Sequence, residues 1–158
     1  MPAKDPLREH LVQLLEGGHA HTTFDQATRG FPVNRAGDRP GGSPHSAWEL
    51  LEHMRIAQND ILRFCQSGDY RSPDWPSGYW PASQAPESER DWRHSLQSFR
   101  DDLAAFLRMV SDPECDLYSP FSWGDGQTLL REALLIADHN SYHLGQLVLV
   151  RRMLGAWK

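Results

Sequence analysis

An all-α fold, a four-helix bundle with long crossover connections, is expected for this 158-residue chain on two observations. Apolar residues recur at three- and four-residue steps in four separate stretches, each bounded by capping or breaking residues. No stretch alternates apolar and polar residues for long enough to argue a strand. The links between the four stretches include two or three that are too long for tight turns, which points to crossovers instead of a plain up-down-up-down bundle.

The first helix is carried by Leu7, Leu11, Leu14 and Leu15. Asp5 supplies a cap, Pro6 suits the first turn, and Gly17-Gly18 ends the run. Residues 19–44 hold Gly30-Phe31-Pro32, Pro40 and Gly41-Gly42-Ser43, a long connection with one short helical turn expected around Thr23–Thr28. The second helix is expected from Ser46 to about Gln66, on a broad face of Leu50, Leu51, Met54, Ala57, Ile61 and Phe64. Gly68 stops it. Residues 67–86 then place Tyr70, Trp75, Tyr79 and Trp80 among prolines, a stiff aromatic loop suited to covering something. Trp92, Leu96, Phe99, Leu103, Phe106 and Val110 give the third helix, expected over 87–110, and Ser111-Asp112-Pro113 closes it. The fourth is expected over 127–154, on Leu130, Ala133, Leu134, Ala137, Leu144, Leu147, Val148 and Leu154. Neither an internal repeat nor a boundary divides the chain, so residues 1–158 are read as a single domain. The wide apolar faces of the second and fourth helices also lead us to expect a homodimer.

Composition excludes several functions. The chain is 39% apolar and 23% charged, within the globular range. Its formal charge is −5, and its 16 Lys and Arg are scattered instead of clustered, which argues against nucleic acid as a partner. The N-terminal Met1-Pro-Ala-Lys-Asp-Pro lacks an apolar segment, and no window reaches the ~18 apolar residues of a membrane span, so a cytoplasmic protein with no membrane partner is expected. Cys65 and Cys115 stand alone and are read as ordinary thiols.

Against 2 cysteines stand 8 histidines. His139 and His143 are four apart, so on a continuous helix both rings leave the same face one turn apart. Such a pair is either two partly buried, hydrogen-bonded histidines or two ligands of one ion. His53 shares its face with Leu50, Ala57, Ile61 and Phe64, and an inward imidazole needs a partner for its nitrogens: a carbonyl, a Gln, or a metal. Taken jointly, three inward histidines on two helices favour metal. Neutral imidazole suits zinc, nickel, iron or copper, and three such donors with an open position describe a catalytic type of site. His45 is assigned to the turn before the second helix; His10, His19, His21 and His94 are assigned to helix surfaces or the first loop. The spacing matches metallopeptidase H-E-x-x-H, but the second position is Asn140, which cannot act as the base, so a peptidase of that type is disfavoured. Glu132, Asp60 and Gln146 are candidates for orienting a ligand, or for solvated or packed positions.

Ser46-Ala-Trp-Glu-Leu-Leu-Glu-His53-Met, Asp138-His139-Asn-Ser-Tyr-His143-Leu-Gly-Gln146 and the ending Arg152-Met-Leu-Gly155-Ala-Trp157 together resemble the DinB/YfiT-like superfamily over nearly the whole chain. The resemblance implies a four-helix bundle, often dimeric, with a divalent metal on one histidine of the second helix and two of the fourth. Those are His53, His139 and His143, and the ion implied is zinc or nickel first, with iron or manganese as alternatives. Known activities in that superfamily include bacillithiol transferases, mycothiol-dependent maleylpyruvate isomerases and metal-dependent hydrolases. The expected function is therefore that of a metal-dependent enzyme activating a thiol or water, as a thiol S-transferase or a hydrolase. Its small-molecule substrate or cosubstrate would include a low-molecular-weight thiol. The alternatives are a non-catalytic metal-binding stress-response protein and three purely structural histidines.

Overall fold

A computed structural model describes residues 5–157. Residues 1–4 and 158, the ends of the expected single domain, lie outside the described residues. The described chain is all-helical: α1 (Pro6–Glu16), α2 (Phe24–Thr28), α3 (Ala47–Gln66), α4 (Glu89–Ser111) and α5 (Leu129–Met153). Short 3₁₀ turns at Val33–Arg35, Pro40–Gly42 and Ser77–Tyr79 interrupt the long links. Among the described residues there is no strand, only one isolated bridge between Pro120 and Thr128. No described helix is long and apolar enough to cross a membrane.

Each helix starts where a short polar side chain can satisfy free backbone N–H groups. Asp5, Ser88 and Thr128 accept from the first turns of α1, α4 and α5. Thr23 with Gln26 and Ser46 with Glu49 form reciprocal capping boxes on α2 and α3. The caps move the expected starts inward, by two residues for α4 and α5, because Ser88 and Thr128 are caps and not helical residues.

Helix α3 packs on both α4 and α5, and α1 packs on the same two helices. One apolar cluster joins Leu50, Leu51, Met54, Trp92, Phe99 and Leu147; the other joins Leu11, Leu15, Leu62, Phe106, Leu117 and Ile136. Leu103 packs against both, although it is only partly buried within a helix face expected to be core. Ile61 and Phe64 are likewise partly buried, because α3 presents them to a loop and a cavity.

The first connection is held against the bundle. Arg151 is 6% exposed, and its guanidinium donates to the carbonyls of Ala27, Arg29 and Ala156 at 2.7, 2.7 and 2.9 Å. Phe24 stacks on Phe99 with ring centroids 3.9 Å apart. Arg35 donates to the Leu154 carbonyl at 2.8 Å, and the Trp48 N–H donates to the Ala36 carbonyl at 2.9 Å. A 30-residue link would otherwise leave the entry to α3 loosely placed; these bonds tie it to the end of α5.

A second polar tie crosses the core beside the histidines. Gln58, 1% exposed, donates to the Phe99 carbonyl at 2.8 Å and accepts from the Asn140 amide at 2.9 Å. It thereby joins α3, α4 and α5 at one level. Gln58→Leu keeps the volume but strands the Asn140 donor, so a loss of ~1–3 kcal/mol is expected in urea unfolding, with an unchanged denaturant slope.

Candidate metal centre

His53 comes from the middle of α3, and His139 and His143 lie one turn apart on α5. Because α3 and α5 are packed together, the three rings meet in one place. One ring nitrogen from each lies within 4.8 Å of the others, and Nε2 of His53 is 3.0 Å from Nε2 of His139. Ring centroids are 4.8, 4.5 and 4.5 Å apart, with interplanar angles of 60°, 86° and 62°. The rings therefore meet edge to face, with their nitrogens toward a common point. Two nitrogens on one tetrahedral zinc ion at ~2.05 Å would be about 3.3 Å apart, so these spacings need only small ring rotations.

The outer nitrogens settle which lone pairs are free. A carbonyl oxygen can only accept, so the 2.7 Å contact between His53 Nδ1 and the Tyr79 carbonyl places the ring hydrogen on Nδ1. The amide oxygen of Gln146 does the same for His143 Nδ1, also at 2.7 Å. Nε2 of both rings is left as an unprotonated donor toward the cluster, the state a metal requires. Gln146 thus orients a ring, one of the two roles its spacing allowed.

Burial, more than any neighbour, holds all three imidazoles below the ordinary histidine range. His139 is pushed down to about 4, first by desolvation and then by the neighbouring His143 and His53. For His53 desolvation outweighs its bond to Tyr79, and for His143 it outweighs the bond to Gln146. The rings are therefore neutral near neutral pH. Three neutral imidazoles with converging lone pairs fit a divalent cation, and the three histidines can hold a metal ion.

The cluster forms one end of a cavity of about 400 Å³, whose other walls include Ala57, Asp60, Ile61, Trp75, Tyr79 and Leu135. The aromatic loop expected to cover a site does so through Trp75 and Tyr79. It also supplies Trp80, whose ring lies flat on His53 at 3.9 Å and 1°. His45 stacks on the far side of Trp80 at 4.1 Å, so it belongs to the surroundings of the site and not only to a turn. Nothing in the spacing of Trp80 or His45 distinguishes them from other loop residues; their places depend on the path of the loop. Elsewhere, His10, His19, His21 and His94 are exposed. His21 reaches α5, but through Ser141 at 3.2 Å and not through the cluster.

The remaining candidates separate as follows. Asp60 accepts from the Tyr79 hydroxyl at 2.6 Å and contacts none of the three rings by hydrogen bond. Glu132 is buried but pairs with Arg131 in an adjoining cavity, which shares Asp60, Ile61 and Leu135 with the first but none of the histidines. Asn140 bonds Gln58, which agrees with its unsuitability as a base. Burial raises the Cys65 thiol to about 12 and also raises that of Cys115, so neither is a reactive thiolate. A larger concavity, about 590 Å³, lies beside Arg151 and Trp157 and contains none of the three histidines.

An all-helical chain with three converging histidines between two packed helices describes a protein able to hold a metal ion. The family model of the DinB superfamily matches residues 18–147, a span that includes all three histidines, and the chain belongs to that superfamily. No curated protein and no solved structure matches the chain. Replacing Gln146 with Leu removes the acceptor that orients His143. It is expected to weaken binding of added zinc about 10- to 100-fold in a competition titration with a chromophoric chelator, with little change in thermal unfolding.

Proposed function

We propose that this protein is a metal-dependent enzyme that activates a thiol, or else water, on one divalent cation held by His53, His139 and His143. The observation that carries this reading is the convergence of three neutral imidazole donors, with Nε2 of His53 and His139 3.0 Å apart, at the end of an accessible cavity. Such a cation lowers the pKa of a thiol or water that takes its remaining position. The protein's own part is to hold the donors through Tyr79 and Gln146, and to keep the surroundings apolar through Ala57, Ile61, Leu135 and the rings of the 75–80 segment. A structural metal site is normally closed by four protein ligands. Here three histidines alone group together among the described residues and a cavity of about 400 Å³ opens onto them, which favours turnover over a purely structural site.

Thiol transfer is preferred to hydrolysis because Asn140 replaces the glutamate base of metallopeptidases and is committed to Gln58. With Cys65 and Cys115 both raised in pKa, the thiol would be a small cosubstrate. Zinc or nickel suits three imidazoles best, with iron or manganese as further candidates. Elemental analysis of the purified protein is expected to find close to one such ion per chain, and His139→Ala to lose it. Metal-loaded protein is expected to couple a low-molecular-weight thiol to chlorodinitrobenzene, and His53→Ala to be inactive. Metal-free protein together with unaltered metal binding in His139→Ala would overturn the reading.

The proposed homodimer has a surface suited to it. Leu134, Tyr142, Leu149 and Met153 are exposed along one side of α5, with Gly145 between them. Sedimentation is expected to give a dimer for the native chain and a monomer for Leu149→Glu.

A further inference from the structure

The cavity over the histidines has two chemically different ends. His53, His139 and His143 form one; Asp60 stands in another wall, seven residues beyond His53 on α3. Seven residues are two turns, so both side chains leave the same helix face, with an axial rise of about 10.5 Å between them. The lining also includes Ala57, Ile61 and Leu135, and among the described residues no Lys or Arg lines the space.

Asp60 is incompletely satisfied. Its Oδ2 accepts from the Tyr79 hydroxyl at 2.6 Å and the Tyr70 hydroxyl lies near the same carboxylate, but its Oδ1 is buried without a partner at hydrogen-bond distance. Among the described residues no ion pair joins it to a cation; the nearby Arg131 pairs instead with Glu132. A carboxylate is purely an acceptor, and burying one of its oxygens without a donor is costly. Nor is Asp60 a further member of the histidine cluster, whose mutually close donor atoms come from the three imidazoles alone. The rings of Trp75 and Tyr79, 5.4 Å apart at 63°, add π faces to the same cavity. An unpaired carboxylate beside aromatic faces favours a cation.

We propose that the ligand of this cavity carries an ammonium group and that Asp60 is the carboxylate that receives it. The ligand's electron-pair donor is directed to the histidine end. For the identity of that donor, a thiol, the inference rests on the function proposed above; for the ammonium group it rests on Asp60 and the aromatic walls. The substrate class is then a small aminothiol, or another amine with a donor at its far end. Anionic tails are disfavoured because Asp60 repels them.

Three thiols that differ in their tails test this on the cobalt-loaded protein: cysteamine, mercaptoethanol and mercaptopropionate, followed by the thiolate-to-cobalt charge-transfer band. Benzylamine, which has no thiol, is followed by the NMR signal of the Trp75 indole. Cysteamine is expected to bind about tenfold more tightly than mercaptoethanol, and mercaptopropionate more weakly than either. Benzylamine is expected to shift the Trp75 signal. Asp60→Asn is expected to abolish both the cysteamine preference and the benzylamine response, with cobalt stoichiometry unchanged. Equal affinities for the three thiols in the native protein, or a cysteamine preference retained in Asp60→Asn, would overturn the ammonium assignment and leave the thiol reading standing. Absence of a charge-transfer band with every thiol would overturn the thiol reading. In that case benzylamine decides the assignment alone, which is overturned if the amine does not bind or binds Asp60→Asn equally well. The comparison among ligands on the native protein needs no variant, so it holds even if Asp60→Asn does not fold.

Discussion

Two ring nitrogens 3.0 Å apart must share a proton or a cation, and the surroundings of His53 and His139 are organised by that requirement. The Tyr79 carbonyl and the Gln146 amide take up the outer nitrogens, which removes the option of turning the inner ones away. Trp80 lies flat against His53 and blocks rotation of that ring. Burial then suppresses protonation of all three imidazoles. Together these features hold three neutral imidazoles side by side.

That arrangement depends on precise placement of α3 against α5, which apolar packing alone does not specify. Leucine-rich faces tolerate small slides, whereas a buried amide with directional bonds does not. Gln58 links α3 to the Phe99 carbonyl of α4 and to Asn140 of α5, the residue next to His139. Arg151 ties the last turns of α5 to the segment that leads into α3. The long connections are therefore parts of the site's support. The second carries Tyr79 and Trp80, and the Gln84 side chain donates to the Gly37 carbonyl, which joins it to the first.

The helices and the three histidines were legible in the sequence because both rest on local periodicity. His139 and His143 share a face by their spacing alone, and His53 is marked by its aliphatic neighbours on α3. The cap of α1, Asp5, was legible from its place before Pro6, whereas Ser88 and Thr128 were not read as caps and shifted two helix starts by a short step. The column His45–Trp80–His53 was not legible, nor was the role of Tyr79. Those contacts join residues 35, 27 and 26 positions apart through an irregular loop, whose path no period encodes. Gln58 and Asn140 fall in the same class: each reads as an ordinary polar helix residue until its partner 82 positions away is known. Asp60 and Glu132 show the converse, since identical seven-residue spacing from a histidine left Asp60 in the wall of the histidine cavity as well as of an adjoining one, and Glu132 in the adjoining one without the histidines.

Charge separates these two carboxylates further and bears on what the cavity can accept. Glu132 is paired with Arg131, although its charge is still felt at Cys65. Asp60 has no such partner and is the one carboxylate among the residues lining the cavity, opposite three imidazoles that carry no charge of their own. A divalent cation at the histidine end attracts an anionic donor, while Asp60 attracts a cation across an apolar interval. A dianion would satisfy the first end and be repelled by the second; a simple amine would satisfy only the second. A zwitterionic ligand, with an anionic donor at one end and ammonium at the other, meets both fields. For this reason the reading of the metal end as a thiol site and the reading of Asp60 as an ammonium site converge on one kind of molecule.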